Sequence, residues 1–314
     1  MAGGELQVIR KAALAPDRTA AIRCQPGSVA ARNGGGDFVN QVVLTGFADE
    51  ISNDADEQIA TLQKTGVSHL ELRGVGGANV LDLSPAAVAV FKQQLDGAGI
   101  GVSAIGSPIG KVQVRSDLEA HFDRFRIAVE RAHQFGAGYV RLFSFYHQGE
   151  EADQVRDQVL AQMHRMVKHA EAEGVVLLHE NEKGIYGDVS ERCVDLLQSV
   201  DNPHLRAAFD GANFLQSGVD SERDAWPALK GYVDYFHIKD VEAESGRVVP
   251  AGRGDTGLAA ILGDALNQGF RGFLSVEPHL NAGDPDFGGD GARRFEIAVE
   301  ALRHLLQRLG AVAA

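Results

Sequence analysis

The chain has 314 residues, 44% of them hydrophobic, and a formal net charge of -13. That length can bury the core of one large α/β domain or two small ones without disulfide staples, and so acidic a surface repels duplex nucleic acid. The two cysteines, Cys24 and Cys193, are far apart and in no CxxC pattern, which argues against a disulfide framework or zinc knuckle and for a reducing, cytoplasmic setting. No apolar stretch approaches the roughly 18 residues that span a bilayer, and the mixed charge of residues 1–16 is unlike a secretory signal.

Residues 1–40 hold no clear strand. They read as an N-terminal extension, partly helical near 5–14, ahead of a catalytic domain over 41–314. From residue 42 onward, short β-rich runs alternate with helical ones. Strands are expected at VVLTGFA (42–48), SHLELRG (68–74), GVSAIGS (101–107), YVRLFSF (139–145), VVLLHEN (175–181), LRAAFD (205–210), YFHIKD (235–240) and FLSVEP (273–278). Helical periodicity fills 53–65, 84–97, 117–135, 151–173, 188–199, about 221–230, 257–268 and 290–309. Gly66, Gly99, Gly136, Gly174 and Gly269 each follow a periodic segment, where a helix end wants a positive φ. The closing AVAA reads as a frayed helix end. Eight βα units over about 270 residues predict a (β/α)8 TIM barrel, since a doubly wound open sheet usually stops at fewer strands.

In such a barrel, function sits at the C-terminal ends of the strands. There the sequence offers Glu180, Asp210, His237 and Glu277 on four consecutive strands. Alternation in YFHIK sends Phe236 and Ile238 outward and Tyr235, His237 and Lys239 inward. In FLSVE it sends Leu274 and Val276 outward and Ser275 and Glu277 inward. Strand five is apolar on both faces, so either His179 or Glu180 can be its inward residue. Taken singly, an acidic strand end is more often a loop residue or a helix N-cap. Three carboxylates gathered in a low-dielectric mouth repel one another, and a divalent cation removes that conflict. Three oxygens and one imidazole suit Mn²⁺, Mg²⁺ or Co²⁺, whereas a closed structural zinc favours thiolates.

Other inward polar residues near this end are Glu71, Arg73, Arg141, Lys239, Glu182 and Lys111. Glu71 and Arg73 are equally readable as a structural ion pair. His147 and His179 flank the site. GRGDTG (252–257) fits G-x-G-x-x-G, but Pro250 interrupts the strand that a dinucleotide fingerprint needs before its first glycine. A loop over the active site, holding a phosphate or hydroxyl on backbone N–H groups, is the better expectation.

The motifs HENEKG (179–184), AFDGANF (208–214), FHIKD (236–240), VPAGRGD (249–255) and LSVEPHL (274–280), with LELRGV (70–75) and GSPIGKV (106–112), follow one another in a familiar order. Over roughly 42–309 the chain resembles the xylose isomerase-like TIM-barrel superfamily, in particular its sugar phosphate isomerase/epimerase members. The resemblance implies metal ligation by Glu180, Asp210, His237 and Glu277, with Glu180 and Glu277 also serving as acid and base. It implies a divalent cation, Mn²⁺ first, with Mg²⁺, Co²⁺ or Zn²⁺ as alternatives. It also implies a homo-oligomer, dimeric or tetrameric, acting on a small sugar. Substrate contacts are expected from Glu71, Arg73, Lys111, Arg141, His179, Glu182, Asn213, Lys239 and Arg253. The sequence departs from the epimerases at Asn213, where they often carry a histidine.

The expected function is isomerisation or epimerisation of a keto or aldo sugar by proton abstraction next to a carbonyl, through a metal-stabilised enediolate. Elimination by a lyase or dehydratase, including cleavage of 3-keto glycosides, shares the same first step. An endonuclease IV-like nuclease needs more histidines at strand ends than this chain offers. A non-catalytic sugar-binding protein has no need of four intact ligands.

Overall fold

The computed structural model describes residues 40–147 and 151–313. The extension expected over residues 1–40 lies outside them, except for its last residue. Asn40 opens the first strand.

The eight expected strands all form. They are β1 (Asn40–Gly46), β2 (His69–Leu72), β3 (Gly101–Gly106), β4 (Tyr139–Leu142), β5 (Val176–Glu180), β6 (Leu205–Asp210), β7 (Val233–Ile238) and β8 (Phe273–Val276). Neighbours from β2 to β8 pair in parallel and in chain order, and β8 pairs with β1. β1 and β2 pack side by side and close the ring. The chain thus forms a (β/α)8 TIM barrel.

The helices between strands are α1 (Ala55–Thr65), α2 (Pro85–Ala98), α3 (Leu118–Phe135), α4 (Ala152–Ala172), α5 (Ser190–Val200), α6 (Gly211–Gln216), α7 (Trp226–Leu229), α8 (Leu258–Asn267) and α9 (Gly291–Arg308). Local chemistry sets several of their ends. Asp54, Ser84, Asp117 and Asp290 accept backbone N–H groups of the first turns of α1, α2, α3 and α9. Gly66, Gly99 and Gly136 close α1, α2 and α3 in the left-handed conformation, and Gly174 and Gly269 also have positive φ. The pattern expected near 221–230 is split into one π turn, Ser221–Ala225, and α7.

Strand alternation divides two cores. Outward Leu44, Leu72, Val140, Leu177, Phe236 and Leu274 join the apolar layer beneath the helices. The barrel interior is different. Its floor is aromatic: Tyr235 lies 6.1 Å from Tyr139 and 5.8 Å from Phe273, ring centre to ring centre. Above it are hydroxyls, with Thr45 2.8 Å from Ser103 and Ser103 2.9 Å from Tyr235. β3 and β7 are not neighbours in the sheet, so the Ser103–Tyr235 contact crosses the barrel. The top layer is charged and faces the C-terminal mouth.

The C-terminus corrects the sequence reading. Ala311–Ala313 is not a frayed helix end but a ninth strand, β9, which pairs in parallel with Asn40–Val42. An alanine-rich tail carries no strand signal of its own. The free backbone edge at the start of β1 supplies the reason, because β9 satisfies it.

Candidate active site

Glu180, Asp210, His237 and Glu277 converge at the mouth. Each offers one ligand atom, and these atoms lie within 4.8 Å of one another. All four residues are buried, with exposures of 3%, 0%, 0% and 6%. β5 resolves its ambiguity in favour of Glu180. Its carboxylate turns inward, with Oε1 3.1 Å from His237 Nδ1 and Oε2 3.3 Å from Arg141 Nε. His179 points the other way, onto Ser144 Oγ at 2.9 Å, and burial lowers its pKa to about 4.

Asp210 combines two roles. Its Oδ1 accepts the Asn213 N–H at 2.8 Å and so caps α6. Its Oδ2 faces the cluster, 3.0 Å from Lys239 Nζ. Asn181, which sequence reasoning missed, locks this strand end: its side chain donates to the Asp210 carbonyl at 2.8 Å and accepts the Asp210 N–H at 3.0 Å. An Asn beside a strand-end Glu carries no sequence signal for that clasp.

His237 is oriented from below. Its Nε2 lies 3.0 Å from Glu71 Oε2, which also accepts from Ser275 Oγ at 2.8 Å. With Nε2–H donating to Glu71, Nδ1 turns to the cluster, the way a carboxylate commonly fixes a metal-binding imidazole. Glu71 is fully buried, and its carboxylate is engaged with His237 and Ser275 beneath the mouth. It therefore stands where it can position His237 rather than line the cavity.

The charges interact strongly. Burial pushes the Glu180 carboxyl up, but His237 and Arg141 outweigh it and bring the pKa down to about 2. At Asp210 burial prevails against Lys239, with help from Glu277 and Glu180, and the pKa rises to about 6. At Glu277 burial is outweighed by Lys239, His279 and His237, which hold the carboxyl well below its usual range. His237 is raised well above its ordinary value, because Glu180 and Glu71 overcome the burial that would lower it.

A divalent cation fits this donor set. Asp210 Oδ2 and His237 Nδ1 are buried without a hydrogen-bond partner. Their neighbours Lys239 and Glu180 are within ion-pair distance but out of line for a hydrogen bond. Two carboxylate oxygens, an imidazole nitrogen and an inward Asp oxygen, three of them unable to leave their strands, are what an oxygen-preferring cation takes.

Above the cluster opens a cavity of ≈ 210 Å³ whose lining includes Arg73, Lys111, Arg141, Glu182, Lys239 and His279. Asn213 is buried beside it. Its Nδ2 donates to Glu180 Oε1 at 3.3 Å, and its Oδ1 accepts from Lys239 Nζ at 2.9 Å. Lys111 is held rigidly. Phe143, Phe145 and Tyr146 donate backbone N–H groups to Ile109, Gly110 and Val112, at 2.8, 3.0 and 2.9 Å. Gly110 has φ 87°, and a Cβ there would sit 2.0 Å from the Phe143 carbonyl oxygen, so only glycine allows this approach. His279 follows Glu277 on the same strand end, with Nε2 3.3 Å from Glu277 Oε1.

Besides Glu71, which lies beneath the mouth, and His179, which points away from it, Arg253 and His147 do not reach the cavity. Arg253 is exposed, with its guanidinium 5.1 Å from the Phe287 ring centre. The loop around it does cradle an anion, but an internal one. Asp240 Oδ2 accepts the N–H groups of Gly252 and Gly254 at 2.8 and 3.0 Å, and Oδ1 accepts the Thr256 hydroxyl at 2.6 Å. The expected phosphate nest is therefore filled by the protein itself. His147 is also absent from the cavity lining.

A parallel barrel with three buried carboxylates and a histidine converging at its C-terminal mouth presents a donor set that could hold a metal ion. The family model for the xylose isomerase-like TIM barrel matches residues 59–307, and the chain belongs to that family. Among curated proteins, none matches the sequence. Solved structures share the fold. The probable 3-DHS dehydratase AsbF from Bacillus anthracis is 15% identical with a TM-score of 0.67, covering 83% of this chain and 98% of its own. The zinc-bound IOLI protein is 16% identical with a TM-score of 0.69, covering 85% and 99%. A D-allulose 3-epimerase from Methylomonas sp. is 18% identical with a TM-score of 0.66, covering 84% and 98%. At such identities the likeness carries the fold alone.

Proposed function

We propose that the protein is a divalent-metal-dependent isomerase or epimerase of a keto or aldo sugar, with Glu180, Asp210, His237 and Glu277 as ligands and Mn²⁺ as the preferred cation. The observation that carries this reading is the pair of buried, mutually unsatisfied groups, Asp210 Oδ2 and His237 Nδ1, set among two further carboxylates. When bound, the cation supplies Lewis acidity to vicinal substrate oxygens and so acidifies the neighbouring C–H.

The chain's residues do the rest. Glu180 and Glu277 both line the cavity, and each is held ionised by its cationic neighbours. One carboxylate removes the proton beside the carbonyl; the other, once it has taken a proton from solvent, delivers that proton to the same carbon for epimerisation or to the adjacent one for isomerisation. Glu71 keeps the His237 ring in place. Lys239 and Arg141 neutralise the carboxylates that face the substrate. The buried thiol of Cys193 suits the cytoplasmic setting that the two cysteines suggest.

The test is solvent exchange. The Mn²⁺-loaded protein should incorporate deuterium from D2O into a keto sugar next to its carbonyl, read by NMR. Loss of water from the sugar without exchange would move the assignment to the dehydratase branch. Neither outcome, with the cation bound, would overturn it.

A further inference from the structure

Among the described residues, three that are not glycine have a positive φ: Phe145, Asp201 and His279. That conformation is costly for a residue with a Cβ and persists only where surrounding contacts enforce it. Asp201 ends α5, and Phe145 is buried. His279, with φ 43°, is the one of the three that lines the cavity.

The enforcing contact comes from one side chain. Glu50, in the short turn Ala48–Glu50 after β1, holds His279 with both carboxylate oxygens. Its Oε2 accepts the His279 backbone N–H at 2.9 Å, and its Oε1 lies 3.1 Å from the ring Nε2. The two residues are 229 positions apart in the chain, so neither announces the other. The turn that carries Glu50 is itself fixed. Gly291, at the start of α9, packs against it so closely that a Cβ would lie 2.0 Å from the Ile51 carbonyl oxygen and 2.4 Å from that of Glu50.

The ring is therefore aimed, not merely exposed. Nε2 stands between two carboxylates, 3.1 Å from Glu50 Oε1 and 3.3 Å from Glu277 Oε1, and its N–H is spent on them. Nδ1 has no hydrogen-bond partner among the described residues, and the side chain is 42% exposed. An imidazole held in this way keeps one ring nitrogen for a ligand: it accepts from a hydroxyl when neutral and donates to one when charged. Glu50 does not line the cavity, so its influence on a ligand is indirect.

We propose that His279 contacts the sugar in this site, gripping a hydroxyl through Nδ1, and that Glu50 is the positioning residue that aims it. The proposal rests on the function proposed above and adds two residues to it. A ring already fixed loses little freedom when a ligand arrives, so the contact strengthens binding.

The test uses the full chain, labelled with 15N at histidine and saturated with diamagnetic Mg²⁺. D-fructose, D-tagatose, D-psicose and D-sorbose are titrated in turn and followed by calorimetry and NMR. The ketose that binds most tightly should shift the His279 Nδ1 resonance. His279→Gly removes the ring while suiting the left-handed backbone. It should weaken binding of that ketose about tenfold, with the fold intact by circular dichroism. Glu50→Gln should weaken it about threefold or more. Combined with His279→Gly it should add nothing further, because Glu50 acts through the ring. An unmoved Nδ1 resonance at saturating sugar overturns the proposal, as does unchanged affinity in His279→Gly or failure of all four ketoses to bind. If the pair only braced the loop, the variants would change the melting temperature without moving sugar affinity, which also overturns it. A ketose that binds and shifts Nδ1 but takes up no deuterium leaves the proposal standing and removes the isomerase reading. Deuterium uptake untouched by His279→Gly does the reverse.

Discussion

The two halves of the barrel mouth are built on opposite electrostatic plans. The β5–β8 half gathers Glu180, Asp210, His237 and Glu277 with Lys239 between two of its carboxylates. The β1–β4 half interleaves Arg73, Arg141 and Lys111 with Phe47 and Phe143. In the first half, three carboxylates crowd together and share Lys239 and Arg141 as buried counter-charges. In the second, each cation is paired with a carboxylate and lies over an aromatic face. Under the proposed function the difference separates two tasks: the carboxylate-rich half suits a cation and the carbonyl it would activate, and the cationic, aromatic half suits contact with the rest of the substrate.

The contrast is broken most severely at Glu277. Glu277→Gln keeps the shape but removes a ligand and a proton carrier. Solvent-proton exchange should fall by about 10³-fold or more, read by NMR, while circular dichroism shows the barrel still folded and the metal-free protein melts at a lower temperature, because Lys239 keeps only Asp210 as a counter-charge. Unchanged exchange would remove Glu277 from the mechanism.

Glu71→Gln tests the support beneath His237. Loss of that orienting carboxylate should weaken Mn²⁺ binding by about 10–100-fold, measured by calorimetry, and alter the visible spectrum of the Co²⁺-substituted protein. An unchanged affinity would make Glu71 purely structural.

The ligand half should also answer to pH. Burial, with its carboxylate neighbours, raises Asp210 to about 6 against the pull of Lys239, and Glu180 and Glu71 raise His237 against burial. Protons therefore compete with the cation, and Mn²⁺ affinity should rise from about pH 5 through pH 7 and continue to rise above it, as first Asp210 and then His237 give up their protons. A flat titration would contradict this sign.

The smallest effect is expected across the cavity. Lys111→Met removes a cation that pairs with Glu182 and not with one of the four candidate ligands. It should raise KM by a few-fold, about 1 kcal/mol, with Mn²⁺ content unchanged. A large loss of metal would mean that the two halves are not separable.

Much of this was legible in the chain. Period-two alternation sent Tyr235 and His237 inward and Phe236 outward, because a strand offers only two faces. Helix-ending glycines and capping Asp and Ser residues marked the units. The four strand-end ligands stood out because each falls at the same height in consecutive βα units. By contrast, His179 and Glu180 could not be separated by pattern, since β5 is buried on both faces and only the packing of Ser144 against His179 decides its sense. Asp240 fills the glycine loop from only 12–16 residues away, though no periodicity announces it, and the burial of Glu71 beneath His237 depends on distances between strands far apart in sequence. So does β9, whose three residues become a strand only because β1 presents an open edge. The sequence by itself determined the barrel and the residues able to bind a cation, since local periodicity and strand-end chemistry are properties of short segments. Which carboxylates are shared, which cations are paired and which loop donors are filled came from the fold, because contacts between segments, within one unit or across the barrel, leave no signature in either segment alone.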